Sequence, residues 1–240
     1  MSKYLVLGAT SGIGSAVCDL LDLQGDSLVM AGRDVEKLEK IRSKLSSPAE
    51  HISVYFDADE PESIVSVFEQ STENGIKLDG MVYCIGRADV TPLRGLKIEQ
   101  AQSLFRVNFF SFVSAVSTYA KPKFSNGGSI VGISSANSHY PQKCMSMYAA
   151  GKGAMEAAVK TMAIELADKG IRINCVIPGA VNTDMFCKLS DEMKSIIAGK
   201  QLLGVSSPED IASSIVFLLK DGSRVMTGRS VYLDGGILGQ

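Results

Sequence analysis

The sequence has few of the residues that build metal sites and disulfide frameworks. It holds only two histidines, His51 and His139, and its five cysteines are widely spaced without a Cys-x-x-Cys pair. Two histidines that lie far apart in sequence argue against a histidine metal cluster. An odd number of scattered cysteines is typical of reduced thiols. We therefore expect a cytoplasmic protein that binds no metal.

Long apolar runs and an excess of one charge are also missing. No apolar run approaches the ~18 residues that a membrane span needs. The chain begins MSKYLVLGAT, which lacks the pattern of a signal peptide. Lysine and arginine number 24 against 26 aspartates and glutamates, a net charge of -2, with no basic stripe for nucleic acid. We expect no membrane and no nucleic acid among the partners, and small polar or acyl substrates instead.

Apolar strand-like runs alternate with helix-like segments along the whole chain. The 45% of hydrophobic residues is enough for the core of one large domain, and no linker, repeat or low-complexity segment divides it. This alternation predicts an α/β fold: residues 1–240 as a single domain, a Rossmann-type doubly wound parallel sheet of about seven strands with helices on both faces. The predicted strands are residues 4–7, 27–31, 51–56, 78–85, 129–134, 171–177 and 231–236. The main predicted helices are residues 35–45, 61–73, 98–121, 147–167 and 208–219.

A glycine-rich turn follows the first predicted strand. Gly8 ends that strand, and Gly12 and Gly14 then open a helix. A strand, a glycine turn and a helix form the arrangement that cradles phosphates, because the backbone can approach closely and the helix N-terminus offers unpaired N–H groups. The turn therefore predicts a site for a dinucleotide pyrophosphate.

The second predicted strand ends in the tripeptide Gly32-Arg33-Asp34. The guanidinium of Arg33 can bind a 2'-phosphate through two hydrogen bonds and stack on adenine. Asp34 lies about twenty residues after the glycines, where an acid can bind the ribose of NAD. We interpret Asp34 instead as the N-cap of the helix that follows. The tripeptide favours NADP(H) over NAD(H).

Tyr148 and Lys152 lie four residues apart on the predicted helix 147–167, so they share one face. A fixed cation near a phenol lowers its pKa from about 10. We expect Lys152 to lower the pKa of Tyr148 so that the tyrosine exchanges a proton with a substrate oxygen. Ser135, at the end of the preceding strand, can donate a second hydrogen bond to that oxygen. Because Tyr-x-x-x-Lys also arises by chance on helices, the pair alone does not decide the function.

With the glycine turn, Asn108 and the Pro178-Gly179 turn, this pattern resembles the short-chain dehydrogenase/reductase family along the whole chain, and especially its 3-oxoacyl carrier-protein reductases. The resemblance implies that four residues are catalytic, with Asn108 at a helix kink holding a water that connects the lysine to solvent. These four are Asn108, Ser135, Tyr148 and Lys152.

The resemblance also implies a set of cofactor contacts. It implies that Asp57 accepts a hydrogen bond from the adenine amino group; the alternative is that Asp57 or Asp59 caps the helix 61–73. Val181 and Thr183 contact the nicotinamide carboxamide and the phosphate. The full set is Gly8, Ser11, Gly12, Ile13, Gly14, Arg33, Asp57, Ala58, Gly86, Tyr148, Lys152, Pro178, Gly179, Val181 and Thr183.

The sequence departs from the family at two cofactor positions. Leu7 stands where relatives commonly have threonine, and Tyr83-Cys84-Ile85-Gly86 stands where they often have Asn-Asn-Ala-Gly. We expect the first change to cost one local hydrogen bond. The second removes polar links within the sheet without preventing cofactor binding.

The function that the resemblance implies is NADPH-dependent reduction of a ketone, a β-ketoacyl thioester or a similar small carbonyl, to a secondary alcohol. An alcohol or sugar dehydrogenase is the alternative, and a non-catalytic nucleotide sensor is a third. Residues 184–205 form either a substrate lid or an ordinary amphipathic helix. The substrate and the stereochemistry do not follow from the sequence.

The resemblance implies two kinds of protein partner, other copies of this chain and a carrier protein. It implies a homotetramer, or a dimer, through the helices 147–167 and 98–121. Carrier-protein reductases have two basic residues near the site entrance, and this chain has Asn126 and Lys169 at those positions. Lys121 and Lys123 are candidates to replace the missing charge. We therefore expect weak recognition of a carrier protein.

Overall fold

The computed structural model describes residues 1–239, which contain one seven-stranded parallel sheet with the strand order β3-β2-β1-β4-β5-β6-β7. The strands are β1 (Lys3–Leu7), β2 (Ser27–Gly32), β3 (Ile52–Tyr55), β4 (Leu78–Tyr83), β5 (Ser125–Ile133), β6 (Ile171–Pro178) and β7 (Ser230–Leu233). The α-helices are α1 (Gly12–Leu23), α2 (Val35–Arg42), α3 (Ile64–Ser71), α4 (Ile98–Phe105), α5 (Ser111–Tyr119), α6 (Ser146–Leu166), α7 (Asp184–Cys187), α8 (Asp191–Ala198) and α9 (Pro208–Leu219). The predicted fold class is confirmed.

The central strands are apolar because helices cover both faces of the sheet. All five residues of β1 are buried, as strands of a parallel sheet with two covered faces require. One core lies between the sheet and the helices α3, α5 and α6, where Phe68, Phe112 and Met155 are fully buried. The other lies beneath α1 and α9, around Val17 and Ile215. The sheet therefore holds its helices in place from both sides.

The strand order places a crevice at the carboxyl ends of β1 and β4. The chain builds β1, β2 and β3 outward in one direction, then returns to pair β4 with the other side of β1. In open parallel sheets, ligands bind where the order reverses in this way. The loops after β1 and β4 are thus the first place to look for a site.

The predicted helix 98–121 is interrupted in the middle. The helix α4 ends at Phe105, a π-helical turn runs over Arg106–Phe110, and α5 begins at Ser111. A π-turn is rare and often marks a functional position. Asn108, where the resemblance implies a helix kink, lies within this π-turn.

The predicted lid, residues 184–205, contains two short helices rather than one. The helices α7 and α8 carry apolar side chains that are about half exposed, Met185, Met193 and Ile196.

Within residues 1–239, no helix combines the length and hydrophobicity that a membrane crossing requires.

β5 begins earlier than predicted and passes unusually close to β4. Gly128 has a φ of 108°, and a Cβ there would lie 2.0 Å from the carbonyl oxygen of Asp79 and 2.6 Å from the Tyr119 hydroxyl. The pairing register of the two strands shifts between Leu78 and Gly80. Only glycine fits this irregularity, which sets the path of the strand towards Ser135.

We predict that Gly128→Ala destabilises the fold far more than Gly25→Ala. Gly25 also has a positive φ, 77°, but no atom lies within 4 Å of a Cβ there. Backbone strain alone costs about 1 to 2 kcal/mol, and the steric overlap at Gly128 adds about 1 to 3 kcal/mol. Urea unfolding followed by circular dichroism measures both. Equal losses for the two variants would show that the contact with Asp79 is not a constraint.

Candidate active site

The crevice at the carboxyl ends of β1 and β4 has a volume of about 240 Å³. It brings together several of the predicted cofactor residues from the segments that follow four strands, β1, β2, β3 and β4. Those that line it are Gly8, Ser11, Arg33, Asp57, Ala58 and Gly86.

The glycine turn is locked by the side chain that caps α1. The Ser11 hydroxyl donates to the carbonyl oxygen of Gly8 at 2.8 Å and accepts from the backbone N–H of Gly14 at 3.0 Å. A Cβ at Gly14 would lie 2.3 Å from that same carbonyl oxygen. The turn therefore has room for glycine alone, and the N-terminus of α1 meets the crevice with its positive dipole end.

The segment after β6 closes against this turn. A Cβ at Gly12 would lie 2.9 Å from the Thr183 methyl carbon. The backbone N–H of Ala180 donates to the side chain of Gln201, which is buried and donates in turn to the carbonyl oxygen of Gly204 at 2.6 Å. Sequence reasoning missed Gln201. A buried glutamine that ties the lid to the Pro178-Gly179 turn has no recognisable spacing.

These features fit a dinucleotide. The glycine turn leaves space where side chains would block a pyrophosphate, and the capped N-terminus of α1 favours its negative charge. Arg33 lines the same crevice with an exposed side chain. Within residues 1–239, no group of three or more His, Cys, Asp or Glu side chains is arranged to hold a metal ion.

Two acids near the crevice have definite partners. Asp34 is the N-cap of α2, since its carboxylate accepts from the backbone N–H of Lys37 at 2.9 Å. That interpretation is confirmed, and it leaves Gly32 and Arg33 as the tripeptide residues that line the crevice, of which only Arg33 carries a charge. Asp57 accepts from the backbone N–H of Asp59 at 3.0 Å.

Neither Asp57 nor Asp59 caps the next helix, so that alternative is wrong. Glu60 occupies the N-cap position of the turn that precedes α3. Asp59 instead pairs with Arg87, whose guanidinium lies 3.1 Å from its carboxylate and 2.5 Å from the Ser103 hydroxyl. Sequence reasoning missed Arg87, because its partners are far away in the chain.

The predicted catalytic side chains Ser135 and Tyr148 meet. Ser135 is the second residue after the end of β5 and caps a short 3-10 turn. Tyr148 lies in the first turn of α6. The Ser135 side chain acts on the pKa of Tyr148 as a hydrogen-bonding neighbour. Tyr148 is 8% exposed, so its phenol is shielded from water.

The expected lowering of the Tyr148 pKa by Lys152 is wrong in this structure. Burial raises the pKa of Tyr148, and the hydrogen bond from Ser135 opposes this only in part. The Lys152 ammonium donates instead to the carbonyl oxygens of Ile133 at 2.6 Å and Ile85 at 3.3 Å. Spacing on the helix indicated that the two side chains share a face, but it could not show how deeply the phenol is buried.

Lys152 is itself buried, and burial lowers its pKa to about 8. A charged amine is costly away from water, and its backbone carbonyl partners offset part of that cost. The Lys152 side chain can therefore lose and regain its proton close to neutral pH.

Asn108 lies in the π-turn, fully buried, with its amide committed to one backbone segment. Its side-chain oxygen accepts from the N–H of Arg87 at 2.9 Å, and its nitrogen donates to the carbonyl oxygen of Arg87 at 2.8 Å. A Cβ at Gly86 would lie 3.4 Å from the Asn108 oxygen and 3.1 Å from the Lys152 nitrogen. Asn108 thus fixes the loop after β4 beside Lys152, and its role in holding a water stays a prediction.

Comparison with known proteins covers nearly the whole chain. A family model described as enoyl-(acyl carrier protein) reductase matches residues 8–238. The vibriobactin-specific 2,3-dihydro-2,3-dihydroxybenzoate dehydrogenase of Vibrio cholerae is 34% identical over 98% of this chain and 95% of its own. The glucose 1-dehydrogenase of Gluconobacter oxydans is 30% identical over 98% and 91%. The 3-oxoacyl-(acyl-carrier-protein) reductase of Rickettsia conorii is 29% identical over 98% and 95%.

The fold is also similar to those of solved structures. A short-chain type dehydrogenase/reductase from Mycobacterium ulcerans superimposes with a TM-score of 0.93 at 26% identity, covering 100% of this chain and 90% of its own.

Proposed function

The chain belongs to the short-chain dehydrogenase/reductase family, whose members use NAD(P)(H), and we propose that it reduces a ketone to a secondary alcohol with NADPH. One observation carries the role of Tyr148 as the proton donor. Tyr148 is a buried phenol with a raised pKa, and Ser135 is the neighbour that opposes part of that rise. A phenol that stays protonated at neutral pH is suited to giving a proton to a developing alkoxide.

Each residue of the site has a separate role in the reaction at the carbonyl oxygen of the substrate. When bound, NADPH supplies the hydride that the carbonyl carbon accepts. The Tyr148 hydroxyl gives its proton to the carbonyl oxygen, and the Ser135 hydroxyl donates a hydrogen bond to the same atom. Burial brings the pKa of Lys152 to about 8, so it can exchange a proton, and it would bind the ribose hydroxyls of a bound cofactor. Asn108 fixes the loop beside this lysine.

The crevice after β1 and β4 would hold the cofactor. The turn from Gly8 to Gly14 would cradle the pyrophosphate, and Asp57 and Ala58, which line the same crevice, would bind the adenine. Arg33 would bind the 2'-phosphate, which would make NADPH the preferred form. Val181 and Thr183 would bind the nicotinamide.

The substrate is a small β-keto ester or β-ketoacyl thioester. The half-exposed apolar side chains of Met185, Met193 and Ile196 on α7 and α8 suit an acyl chain. A relative named as a 3-oxoacyl-(acyl-carrier-protein) reductase supports this class. Relatives named as glucose and dihydrodihydroxybenzoate dehydrogenases support the second candidate, oxidation of an alcohol or sugar with NAD.

We further propose a cytosolic homotetramer, with a dimer as the alternative. Phe110, in the π-turn, is 52% exposed and Ile164, on α6, is 79% exposed, which suits helices that pack against other copies. The five cysteines are all free thiols, as is usual in a reducing compartment.

Tyr148→Phe tests the proposed chemistry. The variant loses the proton donor and keeps the glycine turn, so we predict nearly complete loss of ketone reduction with unchanged NADPH binding. Turnover is measured by NADPH absorbance and binding by NADPH fluorescence. A Phe variant that still reduces ketones at the wild-type rate would refute the mechanism.

Arg33→Ala tests the cofactor preference. Losing a charged hydrogen bond to phosphate costs roughly 1.5 to 3 kcal/mol, so NADPH binding weakens by that amount while NADH binding changes little. Lys37 on α2, an exposed cation that pairs with Asp184 at 3.8 Å, supplies the matched control Lys37→Ala. Equal losses for NADPH and NADH in the Arg33 variant would mean that Arg33 does not read the phosphate.

Carrier-protein recognition gives a further prediction. Lys77 donates to the side chain of Asn126 at 2.8 Å and brings one charge to the position where the basic residue is missing, whereas Lys123 is already paired with Glu69. Exposed charges of this kind are each worth ~1 kcal/mol or less. We expect kcat/KM for a carrier-bound β-ketoacyl group to exceed that for a small thioester by less than about tenfold. A hundredfold preference that falls with salt would contradict this.

A further inference from the structure

Glu156 is a buried carboxylate next to the site that the proposed chemistry does not use. It lies on α6 one turn after Lys152, so Tyr148, Lys152 and Glu156 follow one another at four-residue spacing along one face. Glu156 is only 5% exposed. A carboxylate in such a place needs several polar partners, because burying it without them is costly.

Its partners all flank the catalytic serine. One carboxylate oxygen accepts from the hydroxyl of Ser134 and from that of Ser138 at 2.6 Å. The other lies 2.7 Å from the ring nitrogen Nε2 of His139. These residues stand immediately before Ser135 and three and four positions after it. A single side chain on α6 therefore holds both sides of Ser135.

The turn at Ser135 is closed by the same group. The Ser138 hydroxyl also lies 2.6 Å from the carbonyl oxygen of Ser135, and the Ser138 backbone N–H donates to that oxygen at 3.0 Å. The ring of His139 contacts that of Tyr232 on β7 edge-on, with ring centroids 5.4 Å apart. The carboxylate thus links the serine turn to α6, and His139 extends the link to the last strand.

Glu156 also affects the pKa of Lys152 through its charge. Burial lowers the pKa of Lys152, while Cys175 on β6, Cys84 after β4 and Glu156 act in the opposite direction. Burial raises the pKa of the Cys84 thiol to about 12 and raises that of Cys175 as well. Both thiols are therefore neutral where Lys152 titrates. Glu156 remains as the carboxyl neighbour that acts to raise the pKa of Lys152.

We propose that Glu156 is a positioning residue, whose carboxylate aligns Ser135 with Tyr148 and keeps Lys152 protonated from the same helix face. The proposal deepens the reductase function and rests on it. It assigns two separable tasks, one geometric and one electrostatic, to one side chain.

Two substitutions separate the tasks. Glu156→Gln keeps an oxygen that accepts from both serines and an amide that donates to His139, but it removes the charge. Glu156→Leu removes the charge and the hydrogen bonds together. Glu165→Gln is the matched control, since Glu165 is exposed on the same helix.

For Glu156→Gln we expect kcat within about threefold of wild type at pH values well below the pKa of Lys152. The alkaline limb of its pH–rate profile moves to lower pH, because Lys152 loses its proton earlier once the neighbouring charge is gone. For Glu156→Leu we expect kcat to fall about 10- to 100-fold through misalignment of Ser135, with the KM for NADPH nearly unchanged. Glu165→Gln and wild type share one profile.

A measurement without turnover decides the electrostatic task independently. In the cofactor-free protein, NMR of ¹³C-labelled lysine side chains, assigned with a Lys152→Arg variant, follows the titration of Lys152. We expect Lys152 to titrate at lower pH in Glu156→Gln than in wild type, with no change in Glu165→Gln. An unchanged titration would overturn the electrostatic part, and wild-type kcat in Glu156→Leu would overturn the positioning part.

The outcomes also separate this proposal from the function beneath it. If Tyr148→Phe is inactive while both Glu156 variants behave as wild type, the positioning role alone fails. If the wild-type protein reduces no carbonyl, the reductase function fails, and the NMR titration still tests whether Glu156 controls Lys152. If Glu156→Leu does not fold, the Gln variant still tests the electrostatic task, and Ser138→Ala tests the positioning task, because it removes the bond between Glu156 and the Ser135 turn and keeps the charge. Wild-type kcat in Ser138→Ala would then overturn the positioning part.

Discussion

The buried ammonium group of Lys152 is the constraint on which the rest of the site depends. A charge so far from water is stable only where fixed dipoles surround it, and here the carbonyl oxygens of Ile133 and Ile85 do so. Ile133 is the last residue of β5, and Ile85 lies two residues after the end of the neighbouring strand β4. The lysine can reach both only if α6 packs tightly on the sheet. Gly132 allows this, because a Cβ there would lie 3.0 Å from the sulfur of Met155.

The same packing explains why the crevice and the reacting groups lie side by side. The loop after β4 is held by Asn108 from the π-turn, and its Gly86 lies against Lys152 and also lines the crevice. The end of β5 presents Ser135 to Tyr148 on α6. Parallel strands bring their carboxyl ends to one edge, so residues from distant parts of the chain meet there without long loops. Binding and chemistry are thus produced by one sheet edge.

Local patterns in the sequence were enough for the fold and for much of the site. The order of strands and helices, the cap at Asp34 and an irregular helix at Asn108 each follow from spacing or from family resemblance. The structure has the strand order, the cap and a π-helical turn at Asn108. The pKa of Tyr148 was predicted in the wrong direction, because burial depends on the whole fold. The pairing of Asp59 with Arg87 and the partners of Glu156 join residues that no short motif connects.

The most direct test of this account is NADPH oxidation by the purified protein over a panel of β-keto esters, β-ketoacyl thioesters and simple ketones, with NADH in parallel. The account predicts that NADPH is consumed in equal amount to the hydroxy product formed, with β-keto compounds as the best substrates and NADH clearly poorer. A protein that binds NADPH but consumes it with no member of the panel would contradict the account. So would one that only reduces NAD with alcohols or sugars.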